Sequence, residues 1–202
     1  EVLRQHPQVY IATDDMYDHI QWTGEKFCNI LNVCPHLYDR TVVLNGVSKV
    51  YAMTGWRIGY CGGPKDLINA MTNIQSQSTS NPTSISQFAA EAGLNGDQAC
   101  VAMMTQAFRE RHDYVYGVLK TMSGVIVAPA DGTFYIFPNF QPAMDRLGLA
   151  NDIAFAERLL NEVGVAVVPG SAFGAEGCVR ISFATSMANL TKALDRIGQV
   201  VG

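Results

Sequence analysis

The sequence predicts an α/β fold in two parts joined by one long helix, and three observations carry the prediction. In the first part, short apolar runs bounded by Gly, Pro and acidic residues alternate with helical patterns. From Asp97 to about Met122 no proline occurs, and Met103, Met104, Ala107, Tyr114, Val118 and Leu119 recur at helical spacing. After Gly124, strand-like runs and helices alternate in α+β fashion. The expected divisions are residues 1–96, a connecting helix over 97–122, and a smaller domain over 123–202.

Taken in order, Gln8–Thr13 is an apolar run that ends in Asp14 and Asp15 and reads as a buried strand. A helical turn is expected over Met16–Ile20, and Gln21–His36 reads as loop with short elements. Thr41–Leu44 is the second strand and Arg57–Cys61, closed by Gly62-Gly63-Pro64, the third. Pro64 suits the start of a helix running to about Gln77, with Asp66 favourably placed in its first turn. Thr83 or Ser84 is positioned to cap a helix through Ala92 that Gly93–Gly96 would break. Beyond the long helix, Val125–Ala128 and Thr133–Phe137 read as strands around a turn at Asp131-Gly132. Asn151–Val163 reads as a helix closed by Gly164. Val165–Val168 and Val179–Phe183 are two more strands, and Met187–Val201 is a closing helix.

Composition narrows the function classes. The chain has 202 residues, 48% hydrophobic and 16% charged, the ordinary balance of a soluble globular protein. A net charge of −4 leaves no basic stripe for nucleic acid. No apolar run reaches the roughly 18–20 residues needed to span a bilayer, and the opening residues Glu1–Pro7 lack the apolar core of a signal peptide. Five cysteines (Cys28, Cys34, Cys61, Cys100, Cys178) have no paired spacing, which argues for reduced thiols in a cytoplasmic protein. His6, His19, His36 and His112 do not cluster and are expected to be ordinary surface or half-buried imidazoles, with no metal site.

The chemistry concentrates in NGVSKVYAMTGWRIGY, Asn45–Tyr60. Lys49 lies just beyond the carboxyl end of a predicted strand, the edge where open α/β sheets bind ligands. A lysine there, with its amine freed by burial, can act as a nucleophile. Arg180 sits in an otherwise apolar run, VRISFATS, where a buried guanidinium needs a partner.

These residues resemble a known family. S-K-(x)7-R with G-W-R-I-G is similar to the lysine signature of class I/II aminotransferases, pyridoxal-phosphate (PLP) enzymes of the aspartate aminotransferase fold, fold type I. TDDMY (Thr13–Tyr17), SNPTS (Ser80–Ser84), GTFYIF (Gly132–Phe137) and VRISFATS (Val179–Ser186) follow the family's order. The similarity covers nearly the whole chain and looks closest to bacterial aspartate aminotransferases. It implies that residues 1–96 are the C-terminal part of the PLP-binding large domain and 123–202 the small domain. It further implies that Lys49 is the Schiff-base lysine and proton shuttle, Asp14 pairs with the pyridine nitrogen, and Tyr17 binds the phenolate oxygen. Arg57 would hold the phosphate with Ser48 nearby, and Arg180 would bind the substrate carboxylate. Asp15 is the neighbouring acid, but alignment on Tyr17 favours Asp14. The implied partners are an amino acid and a 2-oxo acid, and a second copy in a homodimer at full length.

Relative to the family, the chain reads as the C-terminal half. The ring-stacking aromatic, the helix end that grips the phosphate and the Asn-Pro-x-x-Pro-Thr-Gly block are not found. The chain alone is therefore expected to hold PLP weakly and to turn over little. Two alternatives share these residues: a PLP lyase or synthase of the same fold, and a non-catalytic fragment or assembly module.

Overall fold

In the computed structural model, which describes residues 1–202, the first apolar run narrows to strand β1, Ile11–Asp14. The reason is its partner. Ile11 pairs with Thr41, and the residues before Thr41 are wound into a 3-10 helix, Pro35–Arg40, so Gln8–Tyr10 have nothing to pair with. The helical turn expected over Met16–Ile20 is a pair of turns closed by Asp18 N–H to the Asp15 carbonyl (3.1 Å) and Ile20 N–H to the Tyr17 carbonyl (2.9 Å). A short helix α1, Ile30–Val33, follows, with Asn29 and Asn32 forming a reciprocal cap.

Strand β2, Thr41–Gly46, extends two residues past the predicted end. Helix α2, Val47–Val50, follows it without a break. Strand β3 is Gly59–Gly62, and its antiparallel pairing of Tyr60 with Asn45 and Gly59 with Gly46 explains the longer β2. Arg57 stays out of β3 because its φ of 50° is left-handed, a conformation that cannot join a ladder. The sheet order is β1-β2-β3, with β1 and β2 parallel. At Gly46 a Cβ would lie 3.1 Å from the Gly59 Cα and 3.2 Å from Met16 Cε, so a larger residue would press β2 and β3 apart by a few tenths of an ångström.

Helix α3, Lys65–Ser76, starts after Pro64 as predicted, and α4 is Ser84–Asn95. Gly93 does not break α4, which ends instead at Gly96, and the Thr83 side chain makes no capping bond. No residue of α3 is buried; Ile74 on it, and Ile85 and Phe88 on α4, are about three-quarters exposed (73%, 70% and 73%).

The chain divides into two compact units, Glu1–Met103 and Met104–Gly202. The long helix α5, Ala99–Leu119, lies mostly in the second. Within that unit His112 is 3% exposed, which corrects the expectation of a surface or half-buried imidazole. Its Nε2 accepts from the Ala130 N–H (2.9 Å) and its Nδ1 lies 2.9 Å from Asp113 Oδ1. Polar partners at both nitrogens make that burial tolerable.

The strands of the second unit are shorter than their apolar runs. Val125–Ala128 contributes a single bridge, Ile126 to Asn139, and Thr133–Phe137 only β4, Tyr135–Ile136. Thr133 has a left-handed φ of 66°, which delays the strand. Helix α6, Gln141–Arg146, was not anticipated; Pro142 sits in its first turn. Helix α7, Asp152–Val163, matches its signals: the Asn151 side chain accepts from the Ala154 N–H, and Gly164 closes it at φ 66°. Strand β5 is Val168–Pro169 and β6 is Val179–Ser182, arranged β4-β6-β5 with antiparallel pairing. Helix α8, Met187–Val201, has the predicted bounds and buries Leu190, Leu194, Ile197, Val200 and Val201. No helix is long and apolar enough to cross a membrane.

Gly170, which follows β5, tests how tightly this unit is packed. A Cβ there would run into the carbonyl oxygens of Ala175 and Cys178, both backbone atoms that cannot swing aside. Gly170→Ala should destabilise the protein by about 2–3 kcal/mol, the cost of overpacking a filled site. Urea denaturation checks this; an unchanged midpoint would mean the loop yields.

Candidate active site

The parallel pairing of β1 and β2 brings the carboxyl ends of both strands to one sheet edge. Asp14 is the last residue of β1 and pairs in register with Leu44. The next amide, Asp15 N–H, donates to the Leu44 carbonyl at 2.9 Å. From there β2 runs two more residues and turns into α2, which carries Ser48 and Lys49. Both are partly buried, and the Lys49 Nζ lies 5.9 Å from the centre of the Tyr17 ring. That distance is within reach of a cation–π contact.

The turn that carries Tyr17 is held in place. Asn29 Nδ2 donates to Asp15 Oδ2 (3.0 Å), and Asn45 Nδ2 to Asp18 Oδ2 (2.9 Å), so carboxylates on either side of Tyr17 are tied to neighbouring segments. Partial burial, then the Asp18 carboxylate and Tyr51, push the Tyr60 phenol above its ordinary value.

Arg57 lies beyond α2 in an exposed loop. Its Nη1 donates to the Thr54 carbonyl at 2.8 Å. Ala52 and Arg57 both have left-handed φ, 54° and 50°. Side-chain-bearing residues in that region cost about 1–2 kcal/mol each. The loop is fastened by Ser86 on α4, whose buried hydroxyl donates to the Trp56 carbonyl at 2.7 Å. Unit 1 thus brings Lys49 together with Tyr17, sets Asp14 and Ser48 at the same sheet edge, and holds Arg57 on a strained loop.

Arg180 belongs to the second unit, on the central strand β6. Its guanidinium carbon lies 4.4 Å from the Tyr135 ring centre and 4.6 Å from that of Phe173. Sequence reasoning found the arginine but missed both rings. Tyr135 pairs with Ser182, two residues from Arg180 on the same face of β6, so a strand register would have been needed to find it. Phe173 comes from a 3-10 turn, Gly170–Phe173, visible only as the glycine-flanked GSAFG.

That turn rests on Asp152, 1% exposed at the start of α7, whose Oδ2 accepts from the Ser171 N–H at 2.7 Å. Burial alone would raise its carboxyl. Hydrogen bonds from the Ser171 amide and hydroxyl, and from its own amide and that of Gly170, outweigh this and hold it below the ordinary carboxylate range.

The architecture is that of the aspartate aminotransferases, fold type I: the solved aspartate aminotransferase from Rhizobium meliloti superposes with a TM-score of 0.91 at 44% identity, over 99% of this chain and 51% of that one. An aromatic aminotransferase from Pyrococcus horikoshii gives 0.90 at 33% identity, over 99% and 52%. The model of the aminotransferase class I and II family matches residues 1–197, and the chain belongs to that family. An aspartate/prephenate aminotransferase of Nitrosomonas europaea is 56% identical over 99% of this chain, and one of Cereibacter sphaeroides 47% identical over 98%. The chain spans about half the length of these relatives, 52% and 50%.

A carboxylate held below its unfolded value stabilises the fold above that value and ceases to do so as pH falls through its folded pKa. Asp152→Asn should therefore cost about 2 kcal/mol at neutral pH, the worth of a charged hydrogen bond. The difference from wild type should shrink toward acid pH. Urea unfolding of both proteins across that range checks the sign; a constant difference would contradict it.

Proposed function

We propose that this chain carries the lysine-bearing part of a PLP-dependent aminotransferase, one that moves an amino group between an amino acid and a 2-oxo acid. The observation that carries the reading is Lys49 Nζ beside the Tyr17 ring, next to the sheet edge that ends in Asp14. The donor set suits PLP. Asp14 offers a carboxylate for the ring nitrogen, Tyr17 a phenol for the ring oxygen and Lys49 an amine for the aldehyde. Arg57 offers a planar fork for the phosphate, with the Ser48 hydroxyl beside Lys49 in sequence.

When bound, PLP supplies an electron sink that acidifies the substrate Cα–H bond. The chain's own residues do the rest in this reading. Lys49 Nζ takes the proton from the substrate Cα, acting as a positioned base. Asp14 keeps a proton on the ring nitrogen, and Tyr17 donates its hydroxyl hydrogen bond. Arg180 binds the substrate carboxylate through its fork of N–H groups. The similarity to aspartate/prephenate aminotransferases favours aspartate and prephenate as substrates of the whole enzyme.

A second reading keeps the fold without turnover by this chain alone. The half-length match to its relatives favours it, because part of a cofactor site gives weaker binding and slower chemistry. A lyase or synthase would use the same residues, and product analysis with 2-oxoglutarate separates it from a transaminase. The five unpaired cysteines support a reducing, cytoplasmic setting, and the family resemblance implies a homodimer at full length.

Incubation with PLP, borohydride reduction and peptide mapping test the reading. The pyridoxyl group should be trapped mainly on Lys49, with little transaminase turnover from the chain alone. Asp14→Ala should reduce the trapping several-fold. Equal labelling of Lys26, Lys65, Lys120 and Lys192 would overturn the assignment.

A further inference from the structure

We propose that Asp152, through the Gly170–Phe173 turn, is a positioning residue for Arg180: it seats the Phe173 ring on the guanidinium and so fixes the direction in which Arg180 meets a carboxylate. This rests on the reading of Arg180 as the carboxylate-binding arginine and adds the means by which its geometry is set.

An arginine has several rotatable bonds and loses much rotamer freedom when it binds. A site that orients it beforehand avoids that loss at the moment of binding. Arg180 is half-buried, and no carboxylate of the chain forms an ion pair with it. Its orientation is therefore not set by a salt bridge. The two rings at 4.4 and 4.6 Å take that role, and their π faces attract the cation without occupying its N–H donors. The donors remain available to an acceptor from outside.

The two rings are held by different means. Tyr135 is built into β4, paired to β6 through Ser182, so the sheet fixes it. Phe173 is half exposed and lies on a turn only four residues long, so its place depends on what pins that turn. Gly170 N–H donates to the Cys178 carbonyl (2.8 Å), and Ala175 N–H returns to the Gly170 carbonyl (3.0 Å). From outside the turn, the Asp152 side chain holds it through the 2.7 Å bond from Ser171 N–H. Phe137 meets Phe173 edge to face at 5.9 Å and 87°, which supports the ring from another side. A buried carboxylate is costly, and here its bonds are spent on the turn that carries Phe173.

The test uses the 202-residue chain labelled with ¹⁵N, maleate as a non-reacting dicarboxylate probe, and the Arg180 Nε–H signal, assigned by its loss in Arg180→Lys. In wild type the signal should shift and saturate. Phe173→Leu should weaken maleate binding roughly five- to tenfold, the scale of one cation–π contact, while Phe173→Tyr should restore it. Asp152→Asn should weaken binding to a similar extent and move the Phe173 ring signals. Thermal melts report folding; if Asp152→Asn does not fold, serine's side of the contact, Ser171→Pro, which removes the donating N–H, replaces it and the Phe173 pair decides. Wild-type affinity in Arg180→Lys, read there from the backbone amide shifts of β6 because the Nε–H signal is gone, or no shift in wild type, would overturn the reading of Arg180. Loss in Arg180→Lys with wild-type affinity in Phe173→Leu, or in a folded Asp152→Asn, would overturn the positioning role alone.

Discussion

The parallel pairing of β1 with β2 is the constraint on which the first unit depends. Parallel strands end at the same edge, so the register of Asp14 with Leu44 commits the acid and everything that follows β2 to one side of the sheet. Helix α2 leaves β2 at once, and Lys49 cannot stray far from that edge. The close approach of Gly46 to Gly59 and Met16 then fixes the third strand and the Tyr17 turn against the same point. A sheet of three strands is small, yet it determines where four of the six candidate side chains emerge.

The second unit solves a different problem, that of keeping polar groups inside a well-filled core. Asp152 and His112 are nearly inaccessible, and each is bonded to backbone that would otherwise be loose. Asp152 takes the turn after β5, while His112 takes the Ala130 amide ahead of β4. Buried polar groups with satisfied partners specify one arrangement of loops more sharply than apolar contacts do. Arg180 follows another rule: its charge lies against aromatic faces, and no carboxylate of the chain pairs with it.

Helices proved more legible in the sequence than strands, for a physical reason. Helix signals are local. Asn151 and Gly164 bracket α7, Ser186 precedes α8, and Pro64 opens α3, all within a few residues of the ends they define. Strand ends depend on distant partners: Tyr10 is apolar but has no neighbour to pair with, and Asn45 is polar yet lies in β2 because Tyr60 is opposite. The site shows the same division. Lys49, Arg57 and Arg180 stand out by type and spacing, whereas Tyr135, Phe173 and Asp152 gain meaning only once β4, the Gly170–Phe173 turn and α7 are folded. Helix α6 was missed because its six residues are too few for a periodic pattern.

The large side chains that are almost wholly inaccessible are spread unevenly. Of Phe140, Phe155, Phe183, Leu119, Met144, Leu159, Leu194, Ile197, Val47, Val115, Val179 and Val201, all but Val47 belong to the second unit. Local opening is hardest where apolar burial is densest. Amide protons in α7 and α8 should therefore exchange last, while those of α3, with no buried residue, exchange early. The half of the chain that carries Lys49 is then the more pliable one, so its order on a slow timescale depends more on what it binds.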